Sequence, residues 1–310
     1  MTPSTLPATV RVIVRDWLNA NNVVLLQPGH NVIVDTGYVS HAHDTLALLR
    51  QPEHLGSEPL HLVANTHCHS DHMGGNALLA RTYGCPVAVP EGEAPLIRAW
   101  DTRALWLDYA DQRGERFAVA QELAAGERYE WGGLSWLALA APGHDMGALV
   151  FYCDELGLLI SGDALWENGF GIVLPDQSGG LAATRTTLEQ LARLDVTTVI
   201  PGHGQPFSDV GAALERSFKR VEAFEADPVR MARHVLKVML VFTLLERQRL
   251  PLSKLPAMLD SVPVYREYNQ AYFDMTPAAL AEMLVGELEL GDLPQDRQGF
   301  GLDTGSQPCK

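Results

Sequence analysis

At 310 residues the chain is long enough for one large domain, or for a domain of about 200 residues with a smaller companion. Its 46% hydrophobic and 20% charged residues describe an ordinary globular protein, and a formal charge of -15 disfavours nucleic acid and other polyphosphates as partners. No apolar run reaches the roughly 18 residues a bilayer requires, the opening residues lack a basic leader and an apolar core, and cysteines at 68, 85, 153 and 309 form no close pair, so a cytoplasmic protein without disulfides is expected.

Strand-like segments open the chain at Val10 to Val14, Asn22 to Leu26 and Asn31 to Asp35, with Pro28-Gly29 as the turn between the last two. Ser40 to Arg50 has helical spacing, and Leu60 to Asn65 is a short apolar strand running into a histidine-rich stretch. Gly74-Gly75 opens a helix over Asn76 to Tyr83, followed by a strand at Pro86 to Val89 and a helix at Glu91 to Trp100. Residues 101–130 are polar, are expected to be partly helical, and interrupt the alternation as a lid or insertion would. Strands resume at Leu134 to Leu139, Ala148 to Cys153 and Leu158 to Ser161, and a helix at Leu181 to Leu194 leads to the strand Thr197 to Ile200. Beyond Gly204 the pattern is helical: Ala212 to Phe224, Met231 to Arg247, Leu252 to Leu259 and Thr276 to Glu287. These shifts divide the chain into residues 1–222, a helical part over 223–290 and a Gly- and Asp-rich tail, 291–310, expected to pack loosely.

The chemistry concentrates at 67 to 72, His-Cys-His-Ser-Asp-His. On an extended segment side chains alternate, so His67 and His69 point together and can share one ion while Cys68 faces the other way. Asp71 and His72 lie in the turn beyond, free to reach a second ion. Three later loops at predicted strand ends add His144 in Pro-Gly-His, Asp163 in Gly-Asp and His203 in Pro-Gly-His. Imidazole and carboxylate suit Zn²⁺, and two-metal hydrolases set their ions about 3.5–4 Å apart. A carboxylate has two oxygens with which to bridge cations, which assigns Asp163 that position. His41-Ala-His43 begins a helix, where residues two apart do not face each other, so it reads as surface.

His-x-His-x-Asp-His, then Pro-Gly-His, Gly-Asp and Pro-Gly-His-Gly, with Val34-Asp35-Thr36-Gly37 ahead of them, resembles the metallo-β-lactamase superfamily of metal hydrolases over residues 10–205. The resemblance implies an α/β fold, an αββα four-layer sandwich with metals at one edge. It implies His67, His69 and His144 on the first ion, Asp71, His72 and His203 on the second, and Asp163 shared, with Asp35 bracing the ligand loops by hydrogen bonds. The ions expected are two divalent metals, Zn first, with Mn or Fe as alternatives. The helical C-terminal part is similar to the winged-helix-like extension of the lactonase-2 branch.

Hydrolysis of a small carbonyl compound by a metal-bridging hydroxide is the expected reaction, with Asp71 and Asp163 as its catalytic carboxylates and a thioester ahead of a lactone as substrate. No Gly-x-Ser-x-Gly elbow occurs, which leaves covalent catalysis without support. Glyoxalase II-like members carry a Gly-Cys-Gly-Arg segment where this chain has Glu167-Asn168-Gly169-Phe170-Gly171. Arg216, Lys219 and Arg220 fit either an anionic substrate or a solvated helix face. Trp100 to Arg116 and Trp166 to Leu174 are candidate pocket walls. The alternatives are a mononuclear iron sulfur dioxygenase, which some members with His-Cys-His are, and a nuclease of the lactonase-2 branch. The expected partner is a small molecule, with no membrane, and a homo-oligomer is compatible with the sequence.

Overall fold

Strands β1 (Val10–Ile13), β2 (Asn22–Leu25) and β3 (Val32–Val34) form an antiparallel meander at the start of a computed structural model that describes residues 6–174, 179–289 and 301–303. From β3 onward the pairing turns parallel, because each connection carries a crossover helix too long for a hairpin. Helix α1 (Ala42–Leu49) leads to β4 (Leu62–Ala64), and α2 (Ser70–Met73) with α3 (Asn76–Tyr83) leads to β5 (Val87–Pro90). Helix α4 (Ala94–Ala99) then precedes β6 (Gln121–Leu123), completing a sheet ordered β1-β2-β3-β4-β5-β6.

The second sheet is built from β7 (Arg128–Trp131), β8 (Leu134–Ala140), β9 (Leu149–Cys153), β10 (Leu158–Gly162) and β11 (Thr198–Pro201), ordered β11-β10-β9-β8-β7. Gly132 and Gly133, at φ 65° and 70°, make the two-residue β7–β8 turn, whose left-handed backbone favours glycine. β10 and β11 are parallel and joined through α5 (Gly180–Leu191), and α6 (Val210–Ala226) follows β11. The two sheets share one apolar core: Val23, Leu25, Val34 and Leu62 of the first meet Trp136, Phe151, Ile160 and Ile200 of the second. Crossover helices flank the sheets and give the αββα sandwich.

Residues 101–130 depart from expectation. They form no helix: a run of turns over 102–111 is followed by β6 and β7, edge strands of two different sheets. Gln121-Glu122-Leu123 offers a single apolar side chain, too little to reveal a strand by alternation.

The chain divides into two compact units, Met1–Asp101 with Arg113–Ala226, and Thr102–Gln112 with Asp227 onward. α6 crosses the sequence-based limit at 222 and ends at Ala226. In the second unit α7 (Pro228–Arg247) starts from Asp227, whose side chain accepts from Arg230 N at 2.9 Å, with Pro228 at the first helical position. It is followed by β12 (Arg249–Pro251), α8 (Leu255–Ser261), α9 (Pro263–Tyr272) and α10 (Pro277–Glu289). The sequence reading missed α9, since its opening Pro263 reads equally as a break or as a helix start. Segment 102–112 joins this unit through Val264 N donating to Tyr109 O at 3.1 Å and an ion pair of Arg103 with Glu267 at 3.0 Å. Of the tail, β13 (Gly301–Asp303) pairs in parallel with β12, and the loose packing expected elsewhere in 291–310 lies outside the described residues. Among the described residues no helix is long and apolar enough to cross a membrane.

Trp136 is wholly buried between the sheets, with its indole N–H donating to Trp131 O at 3.0 Å. Trp136→Ala is expected to cost about 3–5 kcal/mol, read as a lower urea midpoint at an unchanged slope.

Candidate metal centre

Four of the parallel strands deliver a functional side chain just beyond their C-terminal ends. β3 is followed by Asp35, β4 by the 67–72 stretch, β10 by Asp163 and β11 by His203, while the β8–β9 loop brings His144. β4 stops at Ala64, so His67 and His69 stand on an extended connector rather than on the strand itself. Asp71 and His72 lie in the single turn of α2, which holds them more firmly than the open turn expected, with His72 N donating to His69 O at 3.0 Å.

Seven predicted residues come together. His67, His69 and His144 have one donor atom each within 4.8 Å of one another, as do Asp71, His72 and His203, and as do His67, His72 and Asp163, which link the two sets. Asp163 faces both: Oδ2 lies 3.4 Å from His144 Nε2, and Oδ1 lies 3.3 Å from His72 Nε2 and 3.8 Å from His203 Nε2. Asp71 Oδ2 is 3.1 Å from His203 Nε2. Two glycines permit this crowding. A Cβ on Gly202 would stand 2.3 Å from Asp163 Oδ1, and one on Gly171 would stand 2.8 Å from His144 Cγ. His43 is exposed and His41 Nδ1 lies 2.8 Å from Asn19 Nδ2, so neither joins the cluster. Cys68 is buried and belongs to none of the three sets.

Electrostatics prepares these groups for cations. Burial, with the neighbouring rings, holds His67 well below the ordinary imidazole range and His69 down to about 4, so both are neutral at pH 7 with lone pairs to offer. Burial would raise Asp163 and Asp71, but His72 and His203 outweigh it and keep both carboxylates ionised. Burial would likewise lower His72, yet Asp35, Asp163 and Asp71 together raise it well above its usual value, so a cation taken up at its Nε2 displaces a proton. His67 Nε2 is sealed from solvent without a hydrogen-bond partner, while its Nδ1 lies 3.1 Å from Thr66 Oγ1. A buried acceptor with no donor is costly, and a divalent ion satisfies it. Imidazole and carboxylate are donors for Zn²⁺ or a similar ion, so the residues present fit the metals that the motifs imply.

Asp35 lies outside the metal sets and accepts from four groups: Thr66 N at 2.9 Å, Thr66 Oγ1 at 2.8 Å, Asn65 Nδ2 at 3.3 Å and His72 Nδ1 at 2.9 Å. Four bonds offset its left-handed backbone, φ 60°, an uncommon conformation for a residue with a Cβ. Sequence reading missed Thr66 and Trp17. The Trp17 ring stacks on His203 at 5.5 Å with planes 3° apart and meets Trp166 edge-on at 5.6 Å. Trp166, within a predicted wall, donates its indole N–H to Asp163 Oδ1 at 3.2 Å. Of the basic trio, Arg216 Nε donates to Glu167 O at 2.8 Å, Lys219 pairs with Glu215 at 2.6 Å, and Arg220 lies 5.8 Å from the Phe170 ring centroid. A single tryptophan in a loop carries no periodic signal, and Asp16-Trp17 would have needed a ligand histidine already placed beside it.

The chain is similar to several known proteins. The model of the metallo-beta-lactamase superfamily matches residues 15–203. A hydroxyacylglutathione hydrolase of Synechococcus sp. (strain JA-2-3B'a(2-13)) is 30% identical over 209 residues, 66% of this chain and 72% of the relative. One of Bartonella tribocorum is 30% identical over 145 residues, 46% of this chain and 49% of the relative. The chain thus spans about half the length of several curated relatives it matches. Among solved structures, a metallo-beta-lactamase family protein of Thermus thermophilus shares the fold with TM-score 0.57 and 23% identity, covering 92% of this chain and 95% of its own. A subclass B3 metallo-beta-lactamase of Bradyrhizobium japonicum does so with TM-score 0.58 and 18% identity, covering 76% and 96%.

Asp35→Asn removes the charge facing His72 and is expected to weaken metal binding roughly 10- to 100-fold, measured by chelator competition. Cys68→Ser is expected to leave the metal content per chain unchanged by elemental analysis, since the thiol points away from all three sets.

Proposed function

The chain belongs to the metallo-β-lactamase superfamily, and from that premise we propose that this metal-dependent hydrolase is a dinuclear enzyme that cleaves a small carbonyl substrate, a thioester before a lactone. His67, His69 and His144 would hold one divalent ion, Asp71, His72 and His203 the other, and Asp163 would be shared, with Zn the first choice of metal. The observation that carries this reading is Asp163: its two oxygens face different ligand sets, Oδ2 toward His144 and Oδ1 toward His72 and His203.

When bound, such a pair of ions lowers the pKa of a coordinated water and polarises a carbonyl. The chain's own residues arrange the rest. His67 and His69 stay neutral and keep their lone pairs available. Trp166 N–H fixes one Asp163 oxygen, and Trp17, 45% exposed yet stacked on His203, offers an apolar face beside the centre. Such a surface suits the uncharged part of an acyl compound and limits access of bulk water. In the reaction, the oxygen of water joins the carbonyl carbon, the carbon–sulfur bond breaks, and the thiol leaves with a proton.

Relatives bearing the name hydroxyacylglutathione hydrolase support a thioester. Glutathione itself has less support, because Glu167 to Gly171 replaces the Gly-Cys-Gly-Arg segment, and Arg216 and Lys219 are already engaged by Glu167 and Glu215. The acidic chain, net charge -15, opposes the nuclease alternative.

The test is a panel of acyl thioesters, lactones, β-lactams and RNA, run on protein whose metals have been quantified. About two Zn or Mn per chain and fastest turnover of thioesters are expected. One Fe per chain with oxygen uptake on a persulfide overturns the hydrolytic reading. Asp163→Ala should lower turnover at least about 100-fold at unchanged circular dichroism, and full activity in that variant removes the shared role of Asp163.

A further inference from the structure

A pair of acids adjoins the centre without belonging to any of the three ligand sets. Glu93 immediately precedes α4 and is 3% exposed, and Asp145 follows His144 and is partly buried. Asp145 is anchored on one side, where Oδ1 accepts from Gly147 N at 2.6 Å. Its other oxygen, Oδ2, lies 3.6 Å from His69 Nε2, an ion-pair separation rather than a hydrogen bond. The opposite nitrogen of that ring, Nδ1, lies 2.8 Å from His144 Nε2, inside the first ligand set. His69 therefore presents one nitrogen to the centre and the other to a carboxylate.

Glu93 backs this arrangement. Its carboxyl lies against Asp145 and Cys68, and both of its oxygens are sealed from solvent without a hydrogen-bond partner. The contact depends on a bare backbone at Gly147: a Cβ there would stand 2.7 Å from Glu93 Cγ and 3.4 Å from Asp145 Oδ1. Burial and the Asp145 charge hold the Glu93 carboxyl well above the carboxylate range. The pair thus adjoins two consecutive residues of the His67–His69 segment, Cys68 through Glu93 and His69 through Asp145.

We propose that Asp145, anchored by Gly147 N and backed by Glu93, is a positioning residue for His69, setting the ring with Nε2–H outward so that Nδ1 is the atom offered to the first ion. This rests on the assignment of His69 to that ion made above. A neutral imidazole carries one proton, and a carboxylate facing Nε2 favours the tautomer that keeps it there; such outer partners fix ring orientation and raise ligand basicity. Neither acid touches substrate. They act through His69, and Cys68 contributes only by presenting its thiol to Glu93.

The test compares wild type, Asp145→Asn and Glu93→Gln, each freed of metal and titrated with Zn²⁺ against a chromophoric chelator. The visible absorption of each Co²⁺-loaded protein is recorded in parallel. Asp145→Asn keeps the acceptor for Gly147 N but removes the charge; it should weaken one of the two ions about 10- to 100-fold, leave the other within about threefold, and alter the Co²⁺ spectrum. Glu93→Gln should weaken the same ion by a smaller factor, and it decides the matter should Asp145→Asn fail to fold. Both affinities within threefold of wild type and an unchanged spectrum overturn the proposal. So do equal losses at both ions with a lowered melting temperature, which mark a general structural role. A wild-type protein that takes up no divalent ion overturns the dinuclear reading itself, a failure visible before any variant is made.

Discussion

The structure depends on how charge is buried at the edge of an apolar sandwich. Asp35, Asp71 and Asp163 lie among five imidazoles beyond the C-terminal strand ends, each at most 9% exposed. An ionised carboxylate withdrawn from water is costly unless compensated. Asp35 finds its compensation within the protein, in four hydrogen bonds that stitch the loop after β3 to the loop after β4. Asp71 and Asp163 are arranged differently. They meet imidazole edges, with one indole N–H added on Asp163, and so retain lone pairs that a divalent cation would take up.

Holding so many polar groups close together requires backbone without side chains where the loops cross. Gly202 and Gly171 let the loops after β11 and β10 approach Asp163 and His144 closer than any Cβ would allow. Gly147 does the same for Glu93 and Asp145. The sandwich supplies rigidity and the glycines supply proximity. The chemistry is carried by side chains held through further bonds rather than by mobile loops. Trp17 and Trp166 then give the centre an apolar flank, so charge and hydrophobic surface lie side by side at the same edge.

The candidate site was more legible in the sequence than the outer parts of the fold. The six-residue cluster and three Gly-marked loops hold their chemistry in short stretches, and loops after strands are where a scaffold displays function. β9 and β10 were legible because full burial makes them nearly continuous apolar runs, and β8 because Trp136 and Ala138 alternate toward the core. β6, β12 and β13 were not, since three-residue edge strands have too few apolar side chains to show a period. The 101–130 segment misled for a related reason: its polar residues carry no periodic core face, and its pieces serve different sheets and different units.

The sequence by itself determined which residue types gather and how neighbours point: His67 with His69, Cys68 away from them, Asp71 and His72 one turn on. Alternation and helical turn are local properties, fixed within a few bonds. Tertiary structure alone decided which distant groups share an edge. That Trp17 covers His203 and that Glu93 and Asp145 back the Cys68–His69 segment follow from strand order, register and the close approach of loops. No spacing along the chain encodes these, because contacts between remote loops are set by how the two sheets pack.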